Sequence, residues 1–230
     1  MIFRQFYWEK GRQLAYVVGD PITREAVTID VGTGQLDPVL EFLHSRGLRL
    51  RFALQTHWNK NQREAALALR DRVGARILAQ ESINDAAVDM RIRHEDRLYF
   101  GEECLRVLHT PGLTPCAVMY QWEDRLFTGE TLLAGGLHRR VPAAKRPALI
   151  AHLQNLLAPM ADETLLYPAV ENRGRRLGSL EELRRLGFGS GGPGLLARCT
   201  QYLQHDAAKK SPAAPAEEPL QRLHSGPVLL

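Results

Sequence analysis

Thr56-His57-Trp58-Asn59-Lys60-Asn61-Gln62 sets one imidazole and three carboxamides just past the apolar run at residues 50–55. An imidazole lone pair binds a divalent cation, whereas a neutral amide is a much poorer ligand. A carboxylate, Glu130, stands in Leu126-Phe127-Thr128-Gly129-Glu130-Thr131-Leu132-Leu133. Other chemistries lack their residues. There is no G-x-S-x-G elbow for a serine hydrolase. Ser190-Gly191-Gly192-Pro193-Gly194 does not follow a strand and lacks the Lys-Ser/Thr ending of a phosphate loop. Cys104, Cys116 and Cys199 form no C-x-x-C pair, and no His clearly activates Cys116, so it reads as structural.

Four segments, taken together, resemble the metallo-β-lactamase superfamily in its persulfide dioxygenase and glyoxalase II (hydroxyacylglutathione hydrolase) branch. Residues 56–62 resemble the T-H-x-H-x-D-H loop, with Asn59, Asn61 and Gln62 standing where His, Asp and His would be. Val107-Leu108-His109-Thr110-Pro111-Gly112-Leu113-Thr114-Pro115-Cys116 is similar to the H-T-P-G-H-T-P-G stretch. Residues 126–133 are similar to F-T-G-D-x-L-L, and Tyr167-Pro168-Ala169-Val170-Glu171-Asn172-Arg173-Gly174-Arg175 to Y-P-G-H-D-Y-K-G-R. The likeness spans roughly residues 1–190.

The resemblance implies an α/β fold, an αββα sandwich of two packed mixed β-sheets with outer helices. It maps the iron ligands of a persulfide dioxygenase onto His57, Leu113 and Glu130. A two-metal glyoxalase II centre would also need Asn59, Asn61, Gln62 and Val170. Of this whole set only His57 and Glu130 keep a good donor. Residues 135–140 fall where the branch places a glutathione-contacting loop, with Arg139, Arg140, Lys145 and Arg146 as candidates to hold an acidic group, and Arg173 and Arg175 follow the lost His at 170. These read either as anion or thiol contacts or as solvated cations. His57 reads either as a retained functional group or as a strand-end cap bonded to backbone. Glu130 is expected to pair with His57. Asn59, Asn61 and Gln62 are expected to bond one another, and His109 to be satisfied locally.

Periodicity places the elements that must hold these residues. Strands are expected at residues 2–8, 14–19, 26–30, 50–55, 75–79, 97–100, 105–109, 117–121, 125–128 and 164–167, and helices at 38–46, 62–73, 147–157 and 180–186. The domain is bounded at 1–190. Residues 191–230 form a C-terminal extension with a Gly-rich hinge at 187–194, a short helix over 195–205, an Ala/Pro/Lys/Glu stretch at 207–219 expected to be disordered, and a tail at 220–230.

The 230 residues, 44% hydrophobic, suffice for one sizeable core and hardly for two. The net charge of +4 is spread along the chain with no basic stripe, which argues against nucleic acid. No apolar run reaches a membrane-spanning length. The opening residues lack a signal-type n-region and the cysteines suit reduced thiols, so a cytoplasmic location is expected. The function expected is a pseudoenzyme that binds without a metal cofactor, with a small thiol or an anion as ligand. A homodimer, or a heterodimer with an active homologue, is its expected assembly. The alternative is a remodelled hydrolase or dioxygenase-like enzyme holding one iron or zinc ion weakly and acting on glutathione-type thiols or thioesters.

Overall fold

The computed structural model describes residues 2–188. The expected domain boundary at 190, the helix over 195–205, the stretch at 207–219 and the tail lie outside the described residues, as does most of the hinge. The apolar runs pair into two six-stranded sheets. In the first, β1 (Ile2–Trp8), β2 (Gln13–Gly19) and β3 (Glu25–Ile29) run antiparallel, and β4 (Arg49–Leu54), β5 (Arg76–Gln80) and β6 (Met90–Ile92) continue in parallel from β3. In the second, β7 (Arg97–Phe100), β8 (Glu103–His109), β9 (Val118–Trp122) and β10 (Arg125–Gly129) form a meander. Later in the chain β13 (Leu165–Pro168) joins β10 in parallel and β14 (Gly178–Ser179) closes the sheet. Between these, β11 (Leu132–Leu133) and β12 (Gly136–Leu137) make a small ribbon.

Strand side chains alternate between faces, and here each face has its own core. Phe52 and Leu54 point between the sheets with Tyr16, Phe100, Tyr120 and Trp122. Leu50 and Ala53 face α1 (Leu36–Ser45) and α2 (Lys60–Val73), where Val39, Leu43, Ala65 and Leu69 cover them. On the far side, Leu126 and Leu166 face α3 (Arg146–Leu157) and α4 (Leu180–Leu183). This gives the αββα layering. No helix among the described residues is long and apolar enough to cross a membrane.

The expected elements form, with differences at their ends. α2 starts at Lys60 because Asn59 caps it: Asn59 Oδ1 accepts from Gln62 N at 3.0 Å. Gly74, at φ 72°, ends it. The last expected helix stops at Leu183 and continues as a π turn, Arg184–Phe188. β6, β11, β12 and β14 were not legible, since two or three residues carry no periodicity.

Hydrogen bonds fasten the sheets to each other at both ends of the sandwich. At one end Tyr16 Oη donates to Pro168 O (2.5 Å), Tyr120 Oη to Gln55 O (2.9 Å), and Val118 N to Thr56 O (2.8 Å). At the other, Asp20 Oδ2 accepts from Glu102 N (2.9 Å) and Glu25 Oε2 from Gly101 N (2.8 Å). The loops leaving the carboxyl ends of β3, β4, β10 and β13 share the first end, the edge of an α/β sheet where sites usually form.

Candidate functional site

Asp30 stands at the base of this edge. It ends β3 with φ 57°, a left-handed conformation rare for a residue other than Gly. Its buried carboxylate accepts from Thr56 N (2.8 Å), Thr56 Oγ1 (2.8 Å to Oδ2) and Gln62 Nε2 (3.2 Å), fixing the 56–62 loop to β3. Burial pushes its pKa up to about 6, against the pull of the His57 charge and the Thr56 bonds. Sequence reasoning passed over this residue. The available signal was an acidic residue ending a buried strand ahead of a Gly-containing turn.

His57 is buried and meets Glu130 across a small pocket also lined by Leu113, Ala117 and Thr131. Glu130 Oε1 lies 3.4 Å from His57 Nε2. Glu130 follows Gly129, whose φ of 63° and packing against Thr56 leave no room for a side chain. Burial works against both charges, but each partner outweighs it. The Glu130 hydrogen bond and the Asp30 and Glu130 charges raise the His57 pKa, and His57 lowers that of Glu130.

Nε2 has a second neighbour, Asn59 Nδ2, at 3.0 Å. Because Asn59 Oδ1 is taken by Gln62 N, its amide presents N–H to the ring. A bare Nε2 therefore accepts from Asn59, and a protonated Nε2 donates to Glu130. Of the two readings of His57, the strand-end cap bonded to backbone is not what forms: Nδ1 faces the side-chain atoms Thr56 Oγ1 and Gln62 Nε2, each at 3.4 Å.

The three amides do not bond one another side chain to side chain, as expected of them. Asn61 Oδ1 accepts from Thr33 N (3.1 Å) and Thr33 Oγ1 (2.6 Å), and its Nδ2 donates to Gln13 Oε1 (3.2 Å). Asn59 caps α2 and meets His57, and Gln62 serves Asp30. Leu113 packs against the cluster of Leu108, Met119 and Leu149 while touching the pocket. Val170 lies beside the start of β2, bridged to Gln13 through backbone.

The basic candidates are not drawn into the pocket. Arg139 and Arg140 are exposed, though Arg140 and His138 are close enough to Glu130 to favour its charge. Lys145 is exposed, and Arg146 braces its own loop by donating to Val141 O and Arg139 O. Arg175 pairs with Glu182 on α4. Arg173 sits at φ 53° in the turn after β13. Cys116 is buried beside Thr114 Oγ1, and His109 Nε2 lies 2.9 Å from Pro115 O.

No family model matches the chain. The mouse mitochondrial persulfide dioxygenase ETHE1 is 28% identical to it over 216 residues, spanning 89% of this chain and 80% of that protein. The hydroxyacylglutathione hydrolase of Rhizobium etli is 31% identical over 156 residues, 66% of this chain and 59% of that one. ETHE1 from Myxococcus xanthus has a crystal structure that superposes with a TM-score of 0.74 at 30% identity over 92% of both chains. The chain belongs to the persulfide dioxygenase and glyoxalase II branch of the metallo-β-lactamase superfamily. A metallo-β-lactamase of Staphylococcus aureus, at 20% identity and a TM-score of 0.70, shares the fold.

A metal at the centre of this metallo-β-lactamase fold is the group to test against the residues present. They supply two good donors, His57 and Glu130, where about three are usual. Among the described residues no group of three or more His, Cys, Asp or Glu side chains is placed to hold an ion. Leu113 offers no lone pair, and Asn59 Nδ2 and Glu130 Oε1 lie 3.0 and 3.4 Å from His57 Nε2.

Proposed function

We propose that this metallo-β-lactamase-fold protein acts by binding, and not by the metal-dependent reactions of its branch. The observation that carries the reading is Leu113. It occupies the position of a third ligand, its side chain belongs to the apolar cluster under α3, and His57 and Glu130 are left as the two good donors of the pocket. A small thiol or anion is the proposed ligand, with the His57 imidazole as its contact in the pocket and the exposed Arg139 and Arg140 as further candidates. A second copy or an active homologue is the proposed partner, and the cytoplasm the proposed location. A second reading has one observation in its favour: His57 and Glu130 are 3.4 Å apart, near enough for one weakly held iron or zinc ion to bridge them.

Elemental analysis after dialysis against iron, zinc and manganese decides between the two, followed by assays with glutathione persulfide and acyl-glutathione thioesters. Less than about a tenth of an equivalent and no turnover is expected. Near one equivalent, lost in His57→Ala, together with turnover, would establish the second reading instead.

A further inference from the structure

We infer that the residues at the former ligand positions form a metal-free clasp that does the mechanical work a metal would do at this edge. A metal ion in such a site ties together loops from separate strands. Here the amides make those ties directly. Asn61 joins α2 to the turn after β3 through Thr33, and to the start of β2 through Gln13. Gln62 and Thr56 join α2 and the β4 loop to Asp30. Asn59 and Glu130 converge on His57 from α2 and from the end of β10.

At position 61 the amide supplies something an acidic ligand could not. An amide both donates and accepts, whereas an ionised Asp only accepts. Asp at 61 could still accept from Thr33 but would face Gln13 Oε1 with another oxygen. Asn at 59 caps the helix through its oxygen while its nitrogen meets the ring, so one side chain serves two loops. Gly32 belongs to the same device: a Cβ there would come within 2.4 Å of Asn61 Nδ2, so the turn after β3 approaches the amide closely only as Gly. These ties make the centre's order independent of any divalent ion.

The test is thermal unfolding of the full chain with EDTA and with zinc, for the parent, Asn61→Asp, Gln13→Leu and the double variant. The parent midpoint should move by less than about 1 °C with either addition. Asn61→Asp, which restores the acidic residue of the family loop, should lower the midpoint by about 3 °C in both conditions, the size of one lost hydrogen bond in a chain of this length. Gln13→Leu should cost about as much, and the double variant little more than either single one, because both remove the same bond.

The clasp is overturned if EDTA lowers the parent midpoint, if zinc raises it by more than about 3 °C, if Asn61→Asp leaves it unmoved, or if the two substitutions add in full. The parent arm with EDTA and zinc decides even if a variant fails to fold. Catalysis without metal would undo the binding reading above and leave the clasp intact. Full additivity would undo the clasp and leave that reading intact.

Discussion

Gly129→Ala tests whether the approach of β10 to the 56–62 loop sets the geometry of the pocket. Two costs can be separated. Gly129 has φ 63°, and an L-residue in that region costs roughly 1 kcal/mol more than Gly. Its added Cβ would also stand 2.6 Å from Thr56 Oγ1 and 2.8 Å from Thr56 Cβ. Thr56 has little freedom to retreat, because its hydroxyl and N–H bond Asp30 and its carbonyl accepts from Val118 N. Overpacking a site that cannot relax costs about 1–3 kcal/mol. The sum is about 2–4 kcal/mol, or a midpoint drop of about 4–16 °C for a chain of this size. Gly74→Ala is the control: φ is 72° there, and nothing lies within 4 Å of its Cβ. The assay is urea and thermal unfolding of both variants, with the His57 resonance followed by NMR. Gly129→Ala should be the more destabilised and should shift His57, and Gly74→Ala should lose only the conformational part. Equal losses would refute the close-approach argument.

Three further outcomes follow. Leu113→His, which puts a third good donor beside His57 and Glu130, should gain zinc binding by calorimetry while its metal-free form loses about 1–2 kcal/mol of packing; zinc binding no better than the parent's would refute donor number as the deficit. Glu130→Gln should lower the His57 pKa, read by an NMR titration, because burial then acts with less opposition. The His57 pKa is raised, so its contribution is full below the ordinary histidine value and fades as pH rises through the folded one. The Glu130 pKa is lowered, so its contribution is present above the ordinary carboxylate value and fades as pH falls through the folded one. The pair therefore stabilises most between those limits, and Glu130→Gln should cost about 2 kcal/mol there, the worth of a hydrogen bond to a charged group, and less outside; a loss that does not change with pH would contradict the pairing. Tyr16→Phe should cost about 1 kcal/mol in urea unfolding, because Pro168 O loses a buried donor; no loss would mean water replaces the hydroxyl.

Much of the fold was legible in the sequence because each long strand alternates and each long helix repeats its apolar residues. Phe52 and Leu54 share one face and Ala53 takes the other by period alone, whereas Leu50 joins Ala53 because the β3–β4 register shifts between them. The short strands β6, β11, β12 and β14 were hidden, since pairing and not pattern defines them. At the site, motif order put His57, Leu113 and Glu130 in neighbouring loops, and the structure brings all three to one pocket. The bonding of the amides was not legible. Whether Asn61 reaches Gln62 or reaches Thr33 and Gln13 depends on how the turn after β3 packs on α2, and no local spacing encodes that. Asp30 was missed for a related reason: its role comes from a left-handed backbone that delivers its carboxylate beneath another strand's loop.

The fastenings at the two ends of the sandwich differ in chemistry, which makes the molecule asymmetric toward acid. At the loop edge the tyrosine hydroxyls and the backbone N–H bond carbonyl oxygens, which do not titrate in acid, and only the Glu130–His57 contact between the sheets depends on a carboxylate. The opposite end depends on Asp20 and Glu25. Hydrogen bonds from Thr23, Glu102 and Ile22 hold the Asp20 pKa at about 2, and the bonds from Arg51, Gly101 and Arg49 outweigh burial to lower that of Glu25. Both values are depressed, so their contribution is complete above the ordinary carboxylate range and vanishes as pH falls through the folded values. In acid the end at the β7–β8 turn loses both of its carboxylate anchors, whereas the loop edge loses the Glu130 pair but keeps its tyrosine and backbone bonds.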